Sequence, residues 1–123
     1  MQALGRHLLC EYHRCDRELL NQPEAIRSAL VQAVTLAGAT PLHEVVHAFS
    51  PHGVTGVIVI AESHFAIHTW PEHGFAAVDL FTCGDTVDPY KAFEHLRIAL
   101  HAETHSVVEI RRGLFPGEVK HKP

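Results

Sequence analysis

The sequence predicts an α+β fold, a two-layer sandwich in which two α-helices cover one face of a mostly antiparallel β-sheet. Two segments, 23–37 and about 89–101, place apolar residues at helical spacing. Most of the rest is strand-like, with tight turn signals between the runs of residues 40–83. A chain of 123 residues has room for one hydrophobic core, so we expect a single domain over residues 1–123.

The N-terminal third predicts one strand and one helix. Residues 6–15 form an apolar and aromatic run that favours a strand, followed by a polar exit at residues 16–18. The helix is predicted over 23–37, because Pro23 favours a first turn and Gly38 is a helix stop signal.

The middle of the chain changes to the period of strands. Four strands are predicted, over 41–49, 54–61, 64–70 and 75–83. Residues 54–61 are almost wholly apolar and rich in β-branched side chains, which favours a central strand buried on both faces.

The C-terminal third predicts the second helix and a last strand. Asp88 and Pro89 are typical of an N-cap and a first helical turn, and the apolar stripe continues to about residue 101. The last strand is predicted over 106–111, before a tail that contains glycine and proline.

Composition argues against several classes of partner. The net charge is −4 at pH 7 and no basic run exceeds Arg111 and Arg112, so a nucleic-acid partner is not expected. No stretch approaches the roughly 20 apolar residues of a membrane span, and charged residues interrupt the N-terminal segment. We therefore expect a cytoplasmic protein with no membrane partner.

Twelve histidines and three cysteines raise the question of a metal site. The cysteines lack C-x-x-C spacing, and their odd number argues against a disulfide framework. The pairs His43/His47 and His64/His68 share i, i+4 spacing, but on a strand such residues lie roughly 13 Å apart, too far for one metal. We expect no metal. The cysteines are Cys10, Cys15 and Cys83.

Lysine usage limits the possible amine chemistry. A pyridoxal enzyme needs a lysine in its pocket, and among the lysines only Lys91 lies in the predicted body of the domain. The turn at Glu62 and Ser63 offers another electrophile. A serine held at a tight turn can attack the preceding carbonyl, and elimination and hydrolysis then leave a pyruvoyl group at the new N-terminus. Taken alone, a Glu-Ser turn is an ordinary turn.

The stretch ESHFAIHTWPEHGFAAVDLFTCG, residues 62–84, resembles the processing and active-site region of bacterial and archaeal S-adenosylmethionine decarboxylases. The resemblance extends to LGRHLLCEYHRCDRELL and to DPYKAFEHLRIAL, and so covers nearly the full chain. It implies cleavage into residues 1–62 (beta chain) and 63–123 (alpha chain), a pyruvoyl cofactor derived from Ser63, and S-adenosylmethionine as substrate for spermidine biosynthesis. We also expect a homodimer of cleaved protomers.

The resemblance further implies roles for individual residues in the reaction. Ser63 is the nucleophile that breaks the bond after Glu62, and His68 assists the proton transfers of processing, which suits a side chain that exchanges protons near neutral pH. Cys83 protonates the substrate carbon after carbon dioxide leaves, as a general acid.

Substrate binding and processing involve three more positions in the family. Phe49 corresponds to an aromatic residue that stacks on adenine, and Glu72 to a glutamate that binds the ribose hydroxyls. Thr55 stands where members often carry a serine that assists processing, so the hydroxyl is kept with a stiffer side chain. Ser63 and His68 have opposite strand parity, so we expect a bend or bulge to bring them together.

Two other functions stay open at this point. A pyruvoyl-dependent decarboxylase acting on ornithine or arginine would need no adenine or ribose contacts, and Phe49 and Glu72 argue against it. An uncleaved, non-catalytic homologue that only binds a ligand would not need the catalytic set, and the presence of Ser63, His68 and Cys83 argues against that.

Overall fold

The computed structural model describes residues 2–117 as a six-stranded antiparallel sheet with helices on one face. The strand order across the sheet is β2-β3-β4-β5-β1-β6. In chain order the elements are β1 (Gln2–His13), α1 (Arg17–Leu20), α2 (Pro23–Ala37), β2 (Pro41–Ala48), β3 (Val54–Ile60), β4 (Ser63–Trp70), a 3-10 turn (Pro71–His73), β5 (Phe75–Cys83), α3 (Pro89–Ala99) and β6 (Thr104–Phe115).

The two long helices and the sheet enclose one hydrophobic core, which confirms the predicted α+β sandwich. Helix α2 has the predicted bounds and ends at Gly38 in the left-handed conformation, φ 79°. Helix α3 begins at Pro89 as predicted, after an Asp88 side chain that accepts from the Tyr90 N–H. Alternate residues of the strands, such as Phe65 and Ile67 of β4, point into this core and are fully buried.

Several predicted bounds are wrong at the ends of the chain. Strand β1 begins at residue 2 instead of 6, and β6 covers 104–115 instead of 106–111, because these two strands pair with each other along nearly their whole length. The predicted polar exit at 16–18 belongs to the short helix α1, which Asp16 caps by accepting from the Leu19 N–H at 3.2 Å.

The prediction that residues 54–61 form a central strand buried on both faces is also wrong. Strand β3 lies second from one edge of the sheet, and its residues alternate between buried and partly exposed. Val59, for example, is 42% exposed. The apolar run gave a wrong prediction because, among residues 2–117, no helix covers the second face of the sheet, which we call the helix-free face. Large apolar side chains remain exposed there: Val45, Val59, Trp70, Val108, Ile110 and Leu114.

Candidate active site

The first half of the candidate site lies where β4 begins. The Ser63 hydroxyl and the Cys83 thiol are 3.2 Å apart, within hydrogen-bonding distance. The backbone N–H of Cys83 donates to the carbonyl oxygen of Glu62 at 2.7 Å. Strand pairing explains this proximity, because Ser63 lies opposite Thr82 in the β4–β5 ladder. The carbonyl before Ser63 is therefore already polarised by a fixed donor.

The backbone of Ser63 is in a conformation that residues other than glycine rarely adopt. Its φ is 145°. Residues held in such regions typically carry about 1–3 kcal/mol of strain and persist only where the surrounding structure imposes it. The constraint here comes from strand pairing on both sides of Ser63 and from the preceding turn.

Thr40 fixes the residue on the other side of this peptide bond. The Thr40 backbone N–H and its hydroxyl donate to the two carboxylate oxygens of Glu62 at 3.0 and 3.2 Å. The Thr40 carbonyl also accepts from the Ala61 N–H at 2.9 Å. Thr40 thus makes three hydrogen bonds, two to Glu62 and one with Ala61, and these hold the turn that contains the peptide bond between Glu62 and Ser63.

The second half of the candidate site lies near the other end of β4. Thr55 and His68 are paired opposite each other in the β3–β4 ladder. The Thr55 hydroxyl is 2.9 Å from Nδ1 of His68, and the tautomer of the imidazole decides which atom donates. A hydroxyl in this position can orient the imidazole for proton transfer.

A cavity of about 370 Å³ opens beside this pair. It is lined by Phe49, His52, Gly53, Thr55, His68, Thr69, Trp70 and Glu72. Four of the residues predicted for processing or substrate binding therefore share one cavity. The Phe49 side chain is 52% exposed and leans edge-on against His47, with ring centroids 4.6 Å apart, so one aromatic surface is available to a ligand.

Glu72 enters this cavity from the 3-10 turn after β4. Its Oε2 lies 3.0 Å from Nε2 of His52. The pKa of Glu72 is below its ordinary value, first because of a hydrogen bond from its own backbone and then because of the His52 side chain. The carboxylate is thus kept as an anion, the form that accepts hydrogen bonds from hydroxyl groups.

The structure does not bring Ser63 and His68 together within one chain, and the predicted bend or bulge is wrong. Strand β4 pairs with both neighbours in unbroken register from Ser63 to His68. A strand rises about 3.3 Å per residue, so the two Cα atoms lie roughly 16 Å apart. The candidate residues form two half-sites: Glu62, Ser63 and Cys83 at one end, and Phe49, Thr55, His68 and Glu72 at the other.

Three residues that contact or line the candidate site were not predicted from the sequence. Thr40 binds Glu62, His52 binds Glu72, and Trp70 lines the cavity beside Phe49. Only Trp70 carried a signal, since it lies inside the stretch that prompted the family resemblance. The other two act through contacts between turns distant in sequence.

The histidines that the structure describes do not form a cluster suited to a metal. Across residues 2–117, no three His, Cys, Asp or Glu side chains are placed to hold one ion. His7, for example, packs against other side chains: its ring stacks on Phe81, with centroids 5.1 Å apart, and its Nε2 lies 3.4 Å from Oδ1 of Asp79.

Within residues 2–117, no helix is both long and apolar enough to cross a membrane.

The fold and these contacts define a candidate enzyme of the α+β sandwich class, with a serine and a cysteine in contact at the start of β4. Comparison with known proteins gives the family: the model for S-adenosylmethionine decarboxylase matches residues 6–113. The chain belongs to the S-adenosylmethionine decarboxylase family. The family predicted from the sequence is therefore confirmed.

Individual relatives agree with this family over almost their whole length. The chain is 54% identical over 115 residues to the S-adenosylmethionine decarboxylase proenzyme of Thermotoga maritima, covering 94% of this chain and 88% of the relative. It is 49% identical over 120 residues to the proenzyme of Caldicellulosiruptor saccharolyticus, covering 98% and 97%. The crystal structure of the adenosylmethionine decarboxylase from Aquifex aeolicus superposes with a TM-score of 0.89 at 37% identity, covering 98% of this chain and 99% of that one.

Proposed function

We propose that this chain is a self-processing decarboxylase that converts S-adenosylmethionine to its decarboxylated form, the aminopropyl donor for spermidine biosynthesis. The names of the relatives support the substrate. One observation carries the mechanism. The Ser63 hydroxyl lies beside the Cys83 thiol, while the Cys83 N–H polarises the carbonyl of Glu62. Nucleophile, electrophilic carbonyl and a proton-donating thiol are thus in one place.

The first step of processing is attack by Ser63 Oγ on the carbonyl carbon of Glu62. The C–N bond of the peptide breaks, the hydroxyl proton goes to the departing nitrogen, and an ester replaces the amide. Negative charge develops on the Glu62 oxygen, where the Cys83 N–H already donates at 2.7 Å. Relief of the strained Ser63 backbone favours the same step.

The second step divides the chain. Loss of the α-proton of residue 63 expels the Glu62 carboxylate and leaves a carbon–carbon double bond, and one water molecule then replaces the nitrogen as ammonia. The products are residues 1–62 and residues 63–123, the latter beginning with a pyruvoyl group. His68, oriented by Thr55, is suited to carry the protons.

The surroundings fit a pyruvoyl group formed in place. Its precursor Ser63 is already held beside the proposed proton donor, so no separate cofactor needs to be captured. The carbonyl of such a group supplies an electron sink when an amino acid loses carbon dioxide. The chain's own residues do the rest: Phe49 and Glu72 hold adenine and ribose, and the Cys83 thiol gives its proton to the substrate carbon.

The separation of the half-sites supports a homodimer of cleaved protomers. A roughly 16 Å gap within one strand is too long for direct proton transfer. A two-fold axis that pairs the helix-free faces would set the Ser63 end of one copy against the His68 end of the other. The apolar side chains exposed on that face support such contact, because unpaired apolar patches mark interfaces. Each dimer would then hold two complete sites.

A cytoplasmic location is part of the proposal. The three cysteines are free and buried, and Cys10 and Cys15 belong to the hydrophobic core. Free thiols persist in a reducing compartment. The proposed role of Cys83 also requires a reduced thiol.

The direct test measures cleavage and turnover together on the purified protein. Denaturing mass spectrometry should find residues 1–62 and a pyruvoyl-blocked fragment 63–123. Release of carbon dioxide should be seen with S-adenosylmethionine and should be at least about 100-fold slower with ornithine or arginine, because Phe49 and Glu72 then have no adenine or ribose to bind. An intact, unblocked chain that still decarboxylates, or a preference for ornithine or arginine, would contradict the proposal.

A mixture of two impaired chains tests the shared site. Chains with His68→Ala alone should cleave slowly, and hydroxylamine should release any ester that accumulates. Co-expressed with Ser63→Ala chains, the His68→Ala chains should cleave faster, because one site of each mixed dimer combines an intact Ser63 with an intact His68. Differently tagged chains followed by mass spectrometry measure this. Equal cleavage with and without the partner chain would mean that each copy processes itself alone.

A further inference from the structure

Glu72 is held by a neighbour that the family resemblance does not assign. His52 lies in the turn between β2 and β3, and its Nε2 is 3.0 Å from Oε2 of Glu72. Both side chains line the 370 Å³ cavity, and both also line an adjacent cavity with Arg17 and Glu18. The contact joins two turns that both line the cavity, the β2–β3 turn and the 3-10 turn after β4.

The turn that carries His52 is itself anchored. The Gly53 N–H donates to the Asn21 side chain at 2.9 Å, and the Gly53 carbonyl accepts from the Phe49 N–H at 2.8 Å. His52 therefore projects from a backbone fixed at its next residue. Glu72, by contrast, sits on a one-turn 3-10 segment, and its side chain is 40% exposed. An exposed glutamate on a short turn has many rotamers to lose on binding a ligand.

We propose that His52 is a positioning residue that fixes the Glu72 carboxylate for binding the adjacent hydroxyl groups of a ribose. A carboxylate oxygen can accept more than one hydrogen bond, so the bond from His52 orients the group and leaves acceptor capacity for a diol. Pre-ordering of this kind raises affinity by removing the entropy cost at the moment of binding. The inference rests on the proposed function in one respect, the assignment of Glu72 to the ribose.

The test compares two substitutions at His52 in a binding assay that needs no turnover. Ser63→Ala protein is titrated with 5′-methylthioadenosine and with its 2′,3′-dideoxy analogue by calorimetry. His52→Leu removes the donor and should weaken binding of the diol by about tenfold, the effect expected for one charge-assisted hydrogen bond. It should leave the affinity for the dideoxy compound within about twofold of the value for the protein that keeps His52. His52→Gln keeps an N–H near the same position and should restore most of the affinity.

A double substitution shows whether His52 acts through Glu72. In a Glu72→Gln background, His52→Leu should add less than about twofold to the loss, since coupled residues are not additive. In cleaved protein, His52→Leu should raise KM for S-adenosylmethionine and leave kcat and chain cleavage near wild type. His105→Leu is the matched control, because His105 is an exposed histidine on β6 that faces the helix side of the sheet. This substitution should leave KM, kcat and chain cleavage unchanged.

Three results would overturn the inference. These are equal weakening of both nucleosides by His52→Leu, fully additive losses in the double substitution, or equal affinity of the unsubstituted cavity for diol and dideoxy compound. Failure of the proposed function looks different, because the cleaved protein would then leave S-adenosylmethionine unchanged while the nucleoside affinities still report on His52.

Discussion

Replacement of Ser63 by alanine is expected to abolish both chain cleavage and decarboxylation. Alanine lacks the oxygen that attacks the Glu62 carbonyl, and it cannot become a pyruvoyl group. The hydrogen bonds that hold Glu62 come from Thr40 and from the Cys83 backbone, so the fold around the bond should survive. Denaturing mass spectrometry should find one chain of 123 residues, and carbon dioxide release should fall to the background rate.

Two further variants serve as controls for this result. Ser28→Ala changes an exposed serine on α2 and should cleave and turn over normally. Ser63→Gly also lacks the nucleophile but tolerates a φ of 145°. It should be more stable than Ser63→Ala by about 1 kcal/mol in denaturant unfolding if the backbone at residue 63 is strained. A Ser63→Ala chain that still separates into two fragments would show that another bond or another nucleophile is used.

The parts of the fold that the sequence predicted well have local causes. Helix α2 was predicted to the residue because a proline, a helical apolar stripe and Gly38 act within one segment. Helix α1 was missed because a single turn leaves only Leu20 buried, too few positions to show a period. The burial of β3 was overestimated because an apolar run does not say whether a second layer covers the sheet. On the helix-free face, Val59 remains exposed.

The candidate site, like the fold, could be predicted from the sequence only in part. Residue types with a chemical role, such as Ser63 and Cys83, could be named from the sequence by family resemblance, and strand parity correctly warned that Ser63 and His68 do not meet on a flat strand. The N–H of Cys83 on the Glu62 carbonyl could not be predicted, because a backbone donor leaves no mark on residue type. The bond between His52 and Glu72 depends equally on how two turns meet.

Replacement of Cys83 by alanine is expected to separate cleavage from decarboxylation. The bond that polarises the Glu62 carbonyl comes from the backbone N–H of residue 83, which alanine keeps. Cleavage should therefore persist, at a rate lowered only by loss of the thiol contact with Ser63. Decarboxylation requires a proton at the substrate carbon, and loss of a positioned general acid typically costs about 10²- to 10⁴-fold in rate. Turnover per pyruvoyl-blocked chain measures this loss.

The direction of protonation distinguishes a proton donor from a packing residue at position 83. In deuterium oxide the wild type should place one deuteron on the substrate carbon with a single configuration, because the thiol delivers it from one side. Product from Cys83→Ala should contain both configurations, since water then supplies the deuteron. Cys15→Ala is the matched control, because this thiol belongs to the hydrophobic core and burial raises its pKa to about 11. Turnover and configuration should therefore be unchanged. A Cys83→Ala protein that turns over S-adenosylmethionine at the wild-type rate with one configuration would reduce Cys83 to a core side chain and would require another donor near residue 63.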